Sequence, residues 1–115
     1  LYSMAVDQIN YNSALIKDGL SFKEFVDKSW LLPEEYYPNR YSVMVHGIGL
    51  CDEWPAIRYP TDGGERSGTF QKNMTITVES YIGKIGGKEG VKLEQQYLIG
   101  ENGLELLSHH PLEDI

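Results

Sequence analysis

Four side chains in this sequence belong to types that hold metal ions and move protons: His46, Asp52, Glu79 and Glu94. His46 lies in the stretch Val45-His46-Gly47-Ile48-Gly49-Leu50-Cys51-Asp52-Glu53-Trp54-Pro55, beside flexible glycines and six residues before an acid. The two glutamates lie in strand-like runs, Thr75 to Ile82 and Val91 to Ile99, joined by Gly83-Lys84-Ile85-Gly86-Gly87-Lys88-Glu89-Gly90. If Gly86-Gly87 is the two-residue turn of a hairpin, cross-strand partners have numbers summing to 173, and Glu79 faces Glu94. Directly opposed residues have β-carbons about 4.5–5.5 Å apart, and like charges in that position are destabilising. A cation between them resolves the conflict. Lys92 offers one solution, two acids on a solvated hairpin neutralised by a neighbouring ammonium. A divalent ion shared with His46 offers the other, because imidazole and carboxylate together suit a hard or borderline metal.

The elements that must position these groups follow from periodicity. Strand alternation puts Thr77 and Tyr81 beside Glu79, and Lys92 and Gln96 beside Glu94, while Ile76, Val78, Val91 and Leu93 take the opposite, apolar face. Tyr41, Val43 and Val45 alternate with Ser42, Met44 and His46, so His46 is expected at the end of a strand. Tyr2, Val6, Ile9 and Ile16 recur at helical spacing and Asp18-Gly19 supplies a stop, which predicts an amphipathic helix over residues 2 to 17. Ser21-Phe22-Lys23-Glu24 has the form of a capping box and opens a second helix, whose apolar face is Phe22, Phe25, Val26 and Trp30 and which Pro33 ends. Pro33 to Asn39 is a connection, Thr61 to Asn73 reads as an exposed polar loop, and Leu104 to Leu107 forms a last short run after the Asn102-Gly103 turn.

Composition limits the partners. Ten basic residues against seventeen acidic ones, net charge -7, with the basic ones scattered, exclude a phosphate-tracking surface, so no nucleic acid is expected. The apolar runs fall far short of a bilayer span, and the first fifteen residues lack the basic and small-residue features of an export signal, so no membrane is expected. The single cysteine, Cys51, forms no internal disulfide, which fits a cytoplasmic protein, and without a basic neighbour it reads as a small inert residue. His109-His110 is expected to face solvent in the tail. The 115 residues begin at Leu1 and read as the C-terminal part of a larger catalytic domain.

His46-Gly47-Ile48-Gly49-Leu50, Thr75-Ile76-Thr77-Val78-Glu79 and Val91-Lys92-Leu93-Glu94 together resemble the last three signature segments of the pita-bread family, which includes methionine aminopeptidase, aminopeptidase P, prolidase and creatinase. The resemblance implies an α+β fold, a curved antiparallel sheet with helices on one face. It also implies that His46, Glu79 and Glu94 are metal ligands, completed by two aspartates of an earlier hairpin that have no counterpart in this chain. Two divalent ions are implied, with iron favoured over manganese, zinc or cobalt, and the parent protein is expected to be a homodimer.

The departures from the peptidase pattern narrow the activity. Peptidase members read His-Gly-x-Gly-x-x-x-His-Glu, whereas Leu50-Cys51-Asp52-Glu53 is one residue shorter and lacks the second histidine; Ser80 and Gln95 stand where proline and aspartate are usual. The segment Gly49-Leu50-Cys51-Asp52-Glu53-Trp54-Pro55 is similar to that of the DddP-type dimethylsulfoniopropionate lyases, non-peptidase members of the same fold. That similarity implies Asp52 as the catalytic base and Tyr41, five residues before the histidine, in the substrate pocket. The implied substrate is a small zwitterionic sulfonium acid, and the reaction a β-elimination to acrylate and dimethyl sulfide.

These residues suit that chemistry. A metal ion on the substrate carboxylate stabilises the developing enediolate. Asp52 is a weak base at its ordinary pKa of about 3.9, so burial or nearby acids are expected to raise it. Dimethyl sulfide leaves without a proton, which removes the need for the missing histidine. Tyr41 or Trp54 offers an aromatic face to the sulfonium, although Trp54 equally suits a core anchor that closes its loop. An Xaa-Pro-type metallopeptidase with a drifted loop, and a pita-bread domain used only for binding, are the alternatives.

Overall fold

The computed structural model describes residues 1–49, 53–63 and 66–112. Five antiparallel strands form one sheet in the order β2-β1-β3-β4-β5: β1 is Val43–Gly47, β2 Ala56–Arg58, β3 Thr75–Gly83, β4 Gly90–Gly100 and β5 Gly103–Leu106. Two helices, α1 (Tyr2–Leu15) and α2 (Phe22–Lys28), complete the fold, and α1 packs on β3 and β4. The result is the α+β arrangement with helices on one side of the sheet.

The core lies between α1 and the sheet, where Ala5 and Ile9 meet Ile76, Val78, Ile82 and Ile99, all fully buried. These β3 residues are the even-numbered face, opposite Glu79, as alternation requires. Gln8 of α1 and Ser80 of β3 are also buried there, and a short chain of hydrogen bonds satisfies them. Ser80 Oγ donates to Gln8 Oε1 at 2.6 Å, and Gln8 Nε2 donates to Tyr59 Oη at 2.6 Å. Since a buried polar group without a partner costs the full desolvation penalty, this relay fixes α1 in one register over β3.

The second helix differs from the sequence expectation at both ends. Ser21 Oγ accepts from the Glu24 amide at 3.0 Å, the first half of the capping box, but the Glu24 carboxylate turns to Lys28 at 2.8 Å instead of returning to Ser21. Its far end comes at Lys28 rather than at Pro33. Ser29 takes an extended conformation with its hydroxyl on the Val26 carbonyl at 2.8 Å, and buried Asn12 of α1 accepts the Trp30 amide at 2.8 Å. A tertiary acceptor thus stops the helix before the proline can.

Thr61 to Asn73 is not the fully exposed loop its composition suggests. Phe70 is fully buried, edge-on to Phe22 at 4.9 Å and Phe25 at 5.7 Å between ring centroids, and its backbone is bonded to Gly19 and Leu20 at 2.8 Å each. One aromatic in a polar stretch brings the chain onto the core, where its ring adds buried area and two edge-to-face contacts. Gly68, at φ +106°, lies against the Phe22 ring. Strand β2 was also missing from the sequence reading, since three residues are too few to show a period.

Candidate metal centre

The hairpin register agrees with the sequence argument, although the turn does not. Strands β3 and β4 pair from Thr75 with Leu98 to Gly83 with Gly90, which sets Glu79 directly opposite Glu94. The connection is the longer stretch 84–89, with a turn closed by the Gly87 amide on the Lys84 carbonyl at 2.9 Å and Gly86 at φ +76°. Gly86-Gly87 is at the middle of this connection, so the longer loop preserves the same pairing.

His46 arrives from the neighbouring strand. A bulge between Val43 and Val45 breaks the simple alternation of β1, and Met44 and Val45 are both fully buried. Beyond it Val45 pairs with Val78 on the core side, and His46 pairs with Thr77 on the other. Glu79 is two residues along from Thr77 on the same face, the diagonal position that long side chains span. The outcome is a cluster in which one ligand atom from each of His46, Glu79 and Glu94 lies within 4.8 Å of the others.

Several features of this cluster call for a cation. Glu79 is buried, with 2% of its surface exposed, and its Oε1 accepts no hydrogen bond. Burial and the facing Glu94 carboxylate push its pKa above the ordinary range, and Lys92 and His46 only partly offset them. His46 Nδ1 is 2.8 Å from the Gly47 carbonyl oxygen, which can only accept, so that nitrogen carries the proton. Nε2 then meets Glu79 Oε2 at 3.0 Å with its lone pair, an arrangement that requires a proton or a metal ion between them. A divalent ion satisfies the orphaned carboxylate oxygen, the opposed acids and the imidazole lone pair together, so the residues present fit the group.

Lys92 supplies part of that positive charge. Its Nζ is 3.3 Å from Glu94 Oε1 and 3.6 Å from Glu79 Oε1, and 4.5 Å from the centre of the Tyr41 ring. Partial desolvation works against this ammonium, but the two carboxylates outweigh it and hold its pKa above the usual lysine value. The neutralising lysine of the sequence argument is therefore present, yet at 3.6 Å it leaves Glu79 Oε1 beyond a good hydrogen bond.

The other candidate residues divide. Tyr41 stands beside the cluster, about half exposed, on the wall of a cavity of about 240 Å³ with Asn39, Arg40 and Tyr81. The loop before Tyr41 is held by Arg40, whose Nε donates to Asp62 Oδ2 at 2.7 Å while its guanidinium rests 4.0 Å over the Tyr37 ring. Trp54 keeps half its surface exposed and sets its ring edge-on to Phe22 at 6.0 Å, the contact of a loop anchor. Asp52, with Leu50 and Cys51, lies outside the described residues. Tyr81 was placed beside Glu79 by alternation but given no role; its nearness to Tyr41 depends on the path of the loop before β1, which no local pattern reveals.

Residues 53–55 close on Gly47. The Gly47 amide donates to the carbonyls of Glu53 at 3.0 Å and Pro55 at 2.9 Å, and a Cβ at this position would be 1.9 Å from the Trp54 carbonyl oxygen. Glycine is therefore required by close backbone approach. Gly47→Ala is expected to lower stability by about 1–3 kcal/mol, since neither backbone has room to yield, and to weaken metal binding through the displaced His46. Urea titration with the slope unchanged and the midpoint lowered checks the first effect, and metal titration the second.

Comparison with known proteins places these features in context. The model of metallopeptidase family M24 matches residues 1–101. The chain is 35% identical to the dimethylsulfoniopropionate lyase DddP of Roseovarius nubinhibens and 34% identical to that of Roseobacter denitrificans, each match covering 98% of this chain and 26% of the relative. Among solved structures, the Xaa-Pro dipeptidase from Bacillus anthracis superposes with a TM-score of 0.74 at 24% identity, over 97% of this chain and 31% of that one. The chain thus spans about a quarter of the length of the lyases it matches.

Proposed function

The chain belongs to metallopeptidase family M24, a family of metal-dependent proteins, and from that premise we propose that it is the C-terminal part of a dimethylsulfoniopropionate lyase. The observation that carries this reading is the similarity to two DddP lyases along 98% of the chain. The likeness to Xaa-Pro peptidases, at 24% identity, concerns the fold alone. The missing second histidine favours elimination over peptide hydrolysis, and the three converged ligand side chains favour catalysis over a role in binding only.

In this reading His46, Glu79 and Glu94 hold the metal, with aspartates from the remainder of the fold. Bound there, a divalent ion supplies a Lewis acid for the substrate carboxylate and lowers the cost of charge developing on it. Asp52 takes the α-proton. The electron pair of that C–H bond becomes the new C=C bond of acrylate, the Cβ–S bond breaks, and dimethyl sulfide leaves with the sulfur electron pair. Tyr41 offers its ring to the sulfonium, an attraction of about 0.5–2 kcal/mol, and Trp54 closes the loop that carries the base.

Iron is the favoured metal and two ions the favoured number, because the resemblance is to DddP lyases. A cytoplasmic homodimer acting on a small zwitterion, with neither nucleic acid nor membrane as partner, completes the proposal. Among the described residues no helix is long and apolar enough to cross a membrane. The complete metal-loaded protein is expected to release dimethyl sulfide from dimethylsulfoniopropionate, measured in the headspace, and to leave an Xaa-Pro dipeptide intact. Dipeptide cleavage without sulfide release would overturn the reading in favour of a peptidase.

A further inference from the structure

Lys92 has a position that metal ligation alone leaves unexplained. Its ammonium spans Glu79 and Glu94, the same two carboxylates that would bind a divalent ion. With neutral His46, Glu79, Glu94 and the two aspartates implied for the rest of the site carry four negative charges, which two divalent ions balance. Lys92 is then a surplus positive charge that has lost its partners to the metal and is repelled by it.

The surroundings limit where that ammonium can go. Lys92 is about half exposed, lies against the face of Tyr41, and is paired across the hairpin with Tyr81. The Tyr81 ring leans over Gly83 and Gly90, where an added Cβ would be 2.9 Å and 2.6 Å from its hydroxyl. The bare glycine pair therefore holds this ring at the end of the hairpin. Both tyrosines line the cavity of about 240 Å³ beside the cluster, and the Lys92 ammonium, 4.5 Å from the centre of the Tyr41 ring, lies next to that wall.

We propose that Lys92 is the carboxylate-binding residue of this site: in the metal-loaded protein its ammonium would hold an oxygen of the substrate's acid group. The assignment rests on the metal-site reading of the previous subsection and deepens it by naming which end of the substrate meets which residue. The acid end points inward to Lys92, and a cationic end is directed away from the ammonium, toward the face of the Tyr41 ring that Lys92 does not cover. As the α-proton leaves, negative charge grows on the carboxylate oxygens, where a second fixed positive charge is most effective. Neutral amides and esters lose this contact.

Propionate, which undergoes no elimination, tests the assignment in the complete metal-loaded protein by calorimetry. Lys92→Met is expected to keep its metal content and weaken propionate binding at least tenfold, Lys92→Arg to restore it to within about threefold, and binding of propionamide to be the same in all three. Propionate affinity unchanged in Lys92→Met would overturn the proposal. So would loss of metal from Lys92→Met, because the lysine would then act by positioning the ligand carboxylates. If the wild type binds propionate through Lys92 yet releases no dimethyl sulfide, the carboxylate assignment stands and only the lyase reading falls.

Discussion

Glu79→Gln in the complete protein is expected to raise the stability of the metal-free form while lowering sulfide release by more than about 100-fold, since mutations in the outer shell of a metal already cost 10–100-fold. Glu79 is buried, faces Glu94, and has an oxygen without a hydrogen bond. Its pKa is raised by burial first and by Glu94 second, against the pull of Lys92 and His46. A group whose pKa is higher in the folded than in the unfolded state contributes stability that is fully present below the unfolded value, about 4.3 for glutamate, and lost as pH rises through the folded one. The metal-free wild type therefore loses stability on the alkaline side of about pH 4.3, and glutamine removes that component while keeping the shape.

Metal should reverse the order. Binding stabilises the wild type by about 4 kcal/mol at a thousandfold excess over the dissociation constant, and the variant has little to gain. Calorimetric melting with a chelator and then with metal, at several pH values, reads both effects. A metal-free variant that melts below the wild type at pH 7 would mean that the contacts to His46 and Lys92 outweigh the buried charge.

Asp52→Ala is the complementary case. Removing a general base costs about 10²–10⁴-fold in rate, so sulfide release should fall by that factor with metal content and melting temperature retained. Glu79→Gln loses metal and activity together, whereas Asp52→Ala loses activity alone, which separates ligand from base. Undiminished release in Asp52→Ala would sink the base assignment and leave the metal centre untouched.

The hairpin shows how a correct result can follow from an incomplete local picture. A two-residue turn at Gly86-Gly87 and the observed connection over 84–89 share a midpoint, so both set Glu79 opposite Glu94. The start of α2 was legible for a similar reason, because a serine cap acts within one turn. The end of α2 was not, since the acceptor that stops it belongs to Asn12, eighteen residues away. Phe70 was misread because a single aromatic in a polar stretch carries no period, and its burial depends on Phe22 and Phe25 being there to receive it.

For the site, the sequence by itself determined the types of the clustered side chains and the facing of Glu79 and Glu94. Alternation along one hairpin is short-range geometry, and it needs no knowledge of the rest of the chain. Only the tertiary structure decided that His46 reaches this pair, through a bulged strand paired with β3 at Thr77, and that Lys92 lies between the carboxylates and Tyr41. Strand order and the path of the loop before β1 come from packing against α1 and from the Arg40–Asp62 contact. Those interactions join residues far apart in the chain, and no spacing within a single segment encodes them.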